Sequence, residues 1–387
     1  MSEVVEVYKQ YKYRMYRCDK KDRALRHKIF VASTIWNHFI ALQRRYYNLS
    51  GKYISLYQMR KHVLKLRRTE RFSLWMDLHS QVCQDVVLRV DDAYMRFFKG
   101  LAKGRPKFRK AIKYSSFTFP QSGYKLSGNT VTIDGVKYKF VLHREIKGQV
   151  KALMVKRDRV GRLWLVFRVY EKMVIGESST GKSGGFDFGL KTFLVDDENT
   201  GYTSPQYFAQ NIRKTRKLNR ELSRKVEGSH RYKRARRSLA KHSADVANKR
   251  FEHHFQLAHD LCDEYDVMCF EDLNINGMKA LWGRKVSDLG FSSFMNILEW
   301  VAFKRGKSVR KISRWEPTTG KCSNCGHLQN LELRERVFHC ENCNLVIGRD
   351  HNAAINIKTV GTSTDYLSGS KTKVRLRSHV DGRSPRL

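Results

Sequence analysis

The stretch KCSNCGHLQNLELRERVFHCENCNLVIGRDHNAAINI, residues 321–357, holds two Cys-x-x-Cys pairs and, seven residues after the last cysteine, Asp350. The spacing is C-x2-C-x14-C-x2-C, formed by Cys322, Cys325, Cys340 and Cys343. A Cys-x-x-Cys knuckle sets two thiolates close together, and two knuckles complete a tetrahedral four-thiolate shell for Zn2+. Four cysteines leave no open coordination position, so such a zinc is structural. Three acids stand out elsewhere: Asp187 inside the apolar GGFDFGL, Glu271 at the end of VMCFEDL, and Asp350 just before HNAAINI. Each interrupts or ends an apolar segment, where an unpaired carboxylate is costly. If the three meet, they raise one another's pKa unless a divalent cation binds among them. Hard oxygen ligands suit Mg2+, and a two-ion carboxylate site is the arrangement that hydrolyses phosphodiesters. Taken singly, each acid reads equally as a cap, a turn residue or solvated surface.

These residues need elements to position them. Residues 3–17 alternate and are rich in Val and Tyr, which predicts a strand. Helical periodicity covers 20–48, about 54–68 and about 76–99, the last placing Val82, Val86, Val90, Ala93, Tyr94 and Phe97 on one face. A β-rich stretch follows, with an Asp-Gly turn in TVTIDGVKYKFVL and a hairpin turning near 159–161. GESSTGKSGG, residues 176–185, reads as a linker at a domain boundary. Beyond it come a buried strand running into a turn at Asp187 and a basic helical pair over 209–263, broken at 227–230. Leu218, Leu222 and Val226 are expected to line the first of these helices, and Ala235, Leu239 and Val246 the second. A second buried strand at 265–275, a helix at 294–307 and a strand at SVRKISRW complete the pattern, and a polar, basic tail starts near 362.

The chain has 387 residues, 41% of them hydrophobic, which suits a globular protein of several domains. Its 76 Lys and Arg against 37 Asp and Glu give a formal charge of +39, spread over the whole length. That imbalance is relieved by a polyanion, and its spread suits wrapping a nucleic acid. No apolar run approaches the about 20 residues of a membrane span, and the start lacks an apolar signal core, so neither a membrane partner nor secretion is expected. Cys18, Cys83, Cys262 and Cys269 are scattered and read as reduced thiols.

In order along the chain, GFDFGLKTFLV, LNRELSRKVEGSHRYKRARRSLAKHSADVANKR, YDVMCFEDLNINGM, WEPTTGKCSNCG and GRDHNAAINI resemble the TnpB family of insertion-sequence-encoded, RNA-guided nucleases, relatives of the small type V CRISPR effectors. YKYRMY, WNHFIAL, LHSQVCQDVVLRVDDAYMRFFKG and GRPKFRK extend the likeness over nearly the whole chain. The resemblance implies a multidomain α/β and β-barrel architecture. A wedge-like β-barrel would comprise 1–18 and 112–180, with a helical recognition domain inserted at 19–111. A RuvC-type, RNase-H-like nuclease would comprise 181–315 and 347–361, with the zinc ribbon inserted at 316–346 to bind target nucleic acid. Residues 362–387 would be a basic, mobile tail.

The resemblance also implies roles. Asp187, Glu271 and Asp350 would hold two Mg2+ ions for phosphodiester hydrolysis, with Zn2+ on the four cysteines. The partners would be a guide RNA from the transposon end and double-stranded target DNA, in a bacterial or archaeal cytoplasm, at the nucleoid. Gln84 matches a position that helps read a short target-adjacent motif, an exposed helix residue being the plainer reading. Arg349 and Asn352 would orient phosphate or a ligand. The chain departs from the family at the Phe residues flanking Asp187, at Thr318-Thr319 in place of two serines, and at Gly348 in place of an acid. A compact type V effector, a guided DNA-binding regulator that no longer cuts, and a zinc-ribbon RNA-binding protein are the rival readings.

Overall fold

The computed structural model describes residues 3–176, 179–332, 335–363 and 380–381. The chain folds as two compact units, one of Glu6–Met173 with Ser378–Leu387, the other of Met1–Val5 with Val174–Arg377.

In the first unit, β1 (Glu3–Arg14) leads into α1 (Asp19–Ser50), α2 (Leu56–Leu66) and α3 (Ser80–Phe98). Then follow β2 (Ser116–Phe119), β3 (Tyr124–Ser127), β4 (Thr130–Ile133), β5 (Val136–Lys139), β6 (Gln149–Arg157) and β7 (Leu163–Ile175). Local chemistry sets several boundaries. Gly51 closes α1 at φ 67°, its N–H bonded to Tyr47 O. Ser55 and Gln58 form a reciprocal capping box at the start of α2. Asp134 and Gly135 both take positive φ, the two-residue turn that matches strand twist. Val82, Val86, Val90 and Tyr94 are buried on α3 as their spacing predicts. They join Tyr13, Phe117 and Phe167 in one core.

The strands make a five-stranded sheet, in which Val380–Asp381 is followed by β1, β7, β6 and β2, and a separate sheet β3-β4-β5. Among the described residues the two sheets are joined through the isolated bridge Met15–Phe140, and no closed barrel ladder is formed. One reason lies at β2. Its Ser116 carbonyl accepts from Arg89 Nη1 at 3.1 Å, so a helix side chain, not a further strand, covers that edge.

In the second unit the order is β8 (Ser183–Phe188), β9 (Leu194–Asp196), β10 (Gly201–Tyr202), α4 (Tyr207–Gln210), α5 (Ile212–Ser223) and α6 (His230–Glu264). It continues with β11 (Val267–Glu271), α7 (Ile275–Leu289), α8 (Phe291–Lys304) and β12 (Ser308–Ile312). Last come β13 (Val337–His339), β14 (Val346–Gly348) and α9 (Arg349–Thr362). The sheet order is β10-β9-β8-β11-β12, with β8 parallel to β11, β11 parallel to β12, and β9 antiparallel to β8. Strands buried on both faces explain the unbroken apolar runs in their sequence.

Side chains alternate across this sheet. Phe186 and Phe270 pack with α6 and α8 through Leu261, Phe294 and Leu298. Cys269 and Ile312 pack on the other face with Ile357 of α9. Gly185, in register with Cys269, lies under α9, where a Cβ would stand 2.5 Å from the Lys358 amide nitrogen. One local expectation needs correction: Val226 lies beyond the end of α5 and is exposed. The strand at Asp187 does run into a turn, which leads back as β9, and the helix at 275–289 is an element the sequence reading did not name. The tail expected from 362 falls outside the described residues except for Thr362, Ser363, Val380 and Asp381.

Candidate active site and metal centre

The register brings two of the predicted acids to one place. Phe186 pairs with Phe270, so Asp187 and Glu271 follow at the same level, at the C-terminal ends of adjacent parallel strands. Because Gly185 and Cys269 face α9, the residues two further on face it too. Asp350 lies in the first turn of α9, where the helix dipole favours a carboxylate. The convergence has an electrostatic signature. Burial, then the Glu271 charge, then the Asp350 charge push the Asp187 carboxyl up to about 7, and the Arg349 guanidinium offsets part of this. Burial also raises Glu271, while the Thr318 hydroxyl, which donates to Glu271 Oε1, pulls it back. As residues, Asp187, Glu271 and Asp350 are all half-buried.

Arg349 donates from Nε and Nη2 to Asp350 Oδ1 at 3.3 and 3.2 Å, and from Nη1 to Glu335 O at 2.9 Å. Asn352 is fully buried. Its Oδ1 accepts from Ser323 N at 2.9 Å and its Nδ2 donates to Lys321 O at 2.8 Å, so its amide is spent on holding the ribbon. Gln84 is half-buried on α3, in the other unit.

Three further positions matter that sequence reasoning did not single out as site residues. Asn356, one turn after Asn352, donates to Thr318 O at 2.8 Å and Lys321 O at 2.7 Å. The two asparagines at i and i+4 in NAAINI, an otherwise apolar run of the helix, were the available signal. Thr318 thus hangs from α9 by its carbonyl and reaches Glu271 by its hydroxyl. Asp197 accepts from Gly185 N at 2.9 Å and from Lys358 Nζ at 2.5 Å, tying β8 to α9, and no sequence pattern marks it.

The four cysteine sulfurs all lie within 4.8 Å of one another, with Cys322–Cys343 and Cys325–Cys340 both at 3.6 Å. A tetrahedron with Zn–S bonds of about 2.3 Å requires S···S separations of about 3.8 Å, so the donor set fits Zn2+. Gly326 (φ 75°) and Asn344 (φ 54°), each just after a knuckle, take the left-handed turn. Donation from the His327 N–H and the Asn342 amide holds the Cys325 thiol down to about 6. Phe338 is the buried centre of the ribbon. Strand β14 runs straight into α9, so the ribbon's last strand delivers Arg349 and Asp350 to the sheet edge.

Fold and site together define a mixed α/β protein with an acidic edge on the parallel part of a mixed sheet and a four-cysteine ribbon built into it. Residues 168–281 match the family OrfB_IS605, described as "Probable transposase", and residues 291–357 match the "Cas12f1-like, TNB domain". The chain is 25% identical to the "Putative RNA-guided DNA endonuclease" of Streptomyces pristinaespiralis over 98% of its own length and 95% of the relative's. It is 22% identical to the "Putative RNA-guided DNA endonuclease InsQ" of Escherichia coli K12, covering 84% and 86%. Against the "TnpB-like protein L79" of Acanthamoeba polyphaga mimivirus it is 29% identical over 56% of this chain and 44% of that protein. In fold it resembles the Cas12f1 chain solved by cryo-EM with sgRNA and target DNA, at a TM-score of 0.60 and 13% identity, over 91% of this chain and 99% of that one. The chain is thus similar to TnpB-type proteins over 168–281 and to a Cas12f-like TNB domain over 291–357. No described helix is long and apolar enough to cross a membrane.

Proposed function

We propose that this chain is an RNA-guided DNA endonuclease, cutting DNA beside a short adjacent motif at an RNase-H-like, RuvC-type site. The observation that supports the reading is the placement of Asp187 and Glu271 at adjacent strand ends with Asp350 in the first turn of α9: burial first, then the charges of Glu271 and Asp350, raise the Asp187 carboxyl. Two strand ends and one helix start supply the acids, each from a rigid element. When bound, Mg2+ on these carboxylates would supply Lewis-acid activation of water and charge neutralisation at the scissile phosphate.

The chain's own residues do the positioning. Thr318 holds Glu271, Asp197 and Lys358 fix α9 against β8, and Arg349 steadies Asp350. The zinc ribbon and α9 share Asn352 and Asn356, so the ribbon is rigidly mounted at the rim of the site. Helix α5 buries none of its residues, and its exposed lysines and arginines suit a phosphate backbone. In this reading the first 180 residues hold the guide RNA and its heteroduplex, base pairing reads the target, and Gln84 helps read the adjacent motif. The likeness in fold to Cas12f1 and the names borne by the relatives support these partners.

The test is to express the chain with the non-coding region beside its gene and sequence the RNA that co-purifies. That complex is then offered a randomised plasmid library with Mg2+. Cutting beside one motif, lost in Asp187→Ala, Glu271→Ala and Asp350→Ala, is the expected result. Guided binding without cutting would turn the protein into a regulator, and no defined RNA would overturn the reading.

A further inference from the structure

Three residues separate Glu271 from α7, and that helix is broken in its middle. Trp282 leaves helical geometry at φ −124°, ψ 31°, followed by Gly283. At the break Leu281 is 72% and Trp282 40% exposed, a large apolar surface for a chain this polar. Beside it opens a cleft of about 1100 Å³ between α7 and the helices α4, α5 and α6. Phe208 and Val246 give the cleft an apolar wall, and Trp282 lines its side.

The charge of the cleft is net positive, four cations against one acid. Arg250, Lys279, Arg284 and Lys285 line it. Its acid, Asp288, is buried, and its two oxygens are taken by the Phe208 and Ala209 N–H groups, both at 2.9 Å. Arg250 donates to the neutral carbonyls of Ser287 and Asp288, which leaves its charge uncancelled. Lys279, Arg284 and Lys285 are exposed and make no ion pair among the described residues. An indole face flanked by cations in an open cleft fits a flat aromatic ring carried on a chain of phosphates. A membrane surface would need a continuous apolar face, which the four cations interrupt.

We propose that the α7 cleft binds single-stranded nucleic acid by stacking an unpaired base on Trp282, with Lys279, Arg284 and Lys285 on the flanking phosphates. Since α7 starts beside Glu271, the strand held is the one being fed to or leaving the acidic site. That assignment of the strand rests on the nuclease reading, whereas the stacking site itself does not.

The test uses the full chain carrying Asp187→Ala, so that nothing is cut, and a fluorescein-labelled oligothymidine of roughly 12 nucleotides read by anisotropy. Trp282→Ala is expected to weaken binding roughly five- to hundredfold, the range for one base–aromatic stack. Trp282→Phe should stay within about threefold of the parent, because it keeps a π-face. Trp282→Leu should lose as much as Ala, which separates stacking from mere filling of the cleft and guards against a misfolded Ala variant. Replacing Lys279, Arg284 and Lys285 by Ala should flatten the slope of log affinity against log salt by about 2, while Trp282→Ala leaves that slope unchanged. Equal binding by parent and Ala variant, or a Phe variant as weak as Leu, overturns the site. Plasmid cutting with Asp187 restored is scored separately. Lost guided cutting with intact Trp282 dependence sinks the nuclease reading and leaves the site standing, and the converse sinks only the site.

Discussion

Replacing Asp187 by Asn removes one charge from the acidic edge at almost constant shape, and its effect can be worked out from the structure. The Asp187 carboxyl moves from 3.8 to about 7 on folding. The folded chain therefore holds this proton more tightly than the unfolded chain does. Stability falls as pH climbs from near 4 through 7, and the whole cost is present above 7. At about 1.4 kcal/mol per pH unit the ceiling is about 4 kcal/mol. Partial access to solvent at the strand end brings the expectation to about 2 kcal/mol, or roughly thirtyfold in an opening equilibrium. The assay is native-state hydrogen exchange of the β8 and β11 amides, which reads this unit directly. In EDTA, protection in the natural chain should drop by about threefold to tenfold between pH 5 and pH 8, the rest of the roughly thirtyfold total having accrued below pH 5, after correction for intrinsic exchange. The Asn variant should lose less, keeping only the share due to buried Glu271, and be the more protected of the two at pH 8. Millimolar Mg2+ should restore protection to the natural chain and leave the variant unchanged, because bound cation offsets the repulsion. If both chains lose protection together, or Mg2+ acts equally on both, the three carboxylates do not share one field and the reasoning fails.

Thr318→Val removes the hydroxyl that donates to Glu271, and the concentration of Mg2+ giving half-maximal protection of β11 should rise roughly tenfold, with Thr318→Ser restoring it. Gly185→Ala puts a methyl group against Ala354 O and Lys358 N under α9, which should destabilise this unit by about 3 kcal/mol in urea unfolding, whereas the same change at open Gly283 should cost under about 1 kcal/mol. Mass spectrometry should find one equivalent of zinc, and Cys340→Ala or a strong chelator should abolish it and expose the β13 and β14 amides, while α6 and α8 stay protected, since their core lies with Phe294 and Leu298.

What could be read in the sequence follows the range of the interactions involved. The zinc set is local: Cys-x-x-Cys is a turn, and the matched pairs imply their own geometry before any fold is known. The asparagines 352 and 356 also form a local pattern, although only the structure reveals that they grip the 318–323 segment. The three acids stood out because each breaks an apolar run, and their family setting gave them an order. Their meeting depends on which strand lies beside which, with Phe186 opposite Phe270, and on α9 crossing Gly185 closely enough to aim Asp350 at the same edge. Helix α7 escaped notice because Gly277, Gly283 and the break at Trp282 spoil a 3.6-residue period. Sheet closure in the other unit was equally invisible, since whether β2 meets a strand or Arg89 depends on packing between distant segments. Residue type and spacing determined the metal chemistry this protein can hold. Tertiary structure alone decided which carboxylates share a field and what holds them, because charges and hydrogen bonds act through space while the sequence orders residues only along the chain.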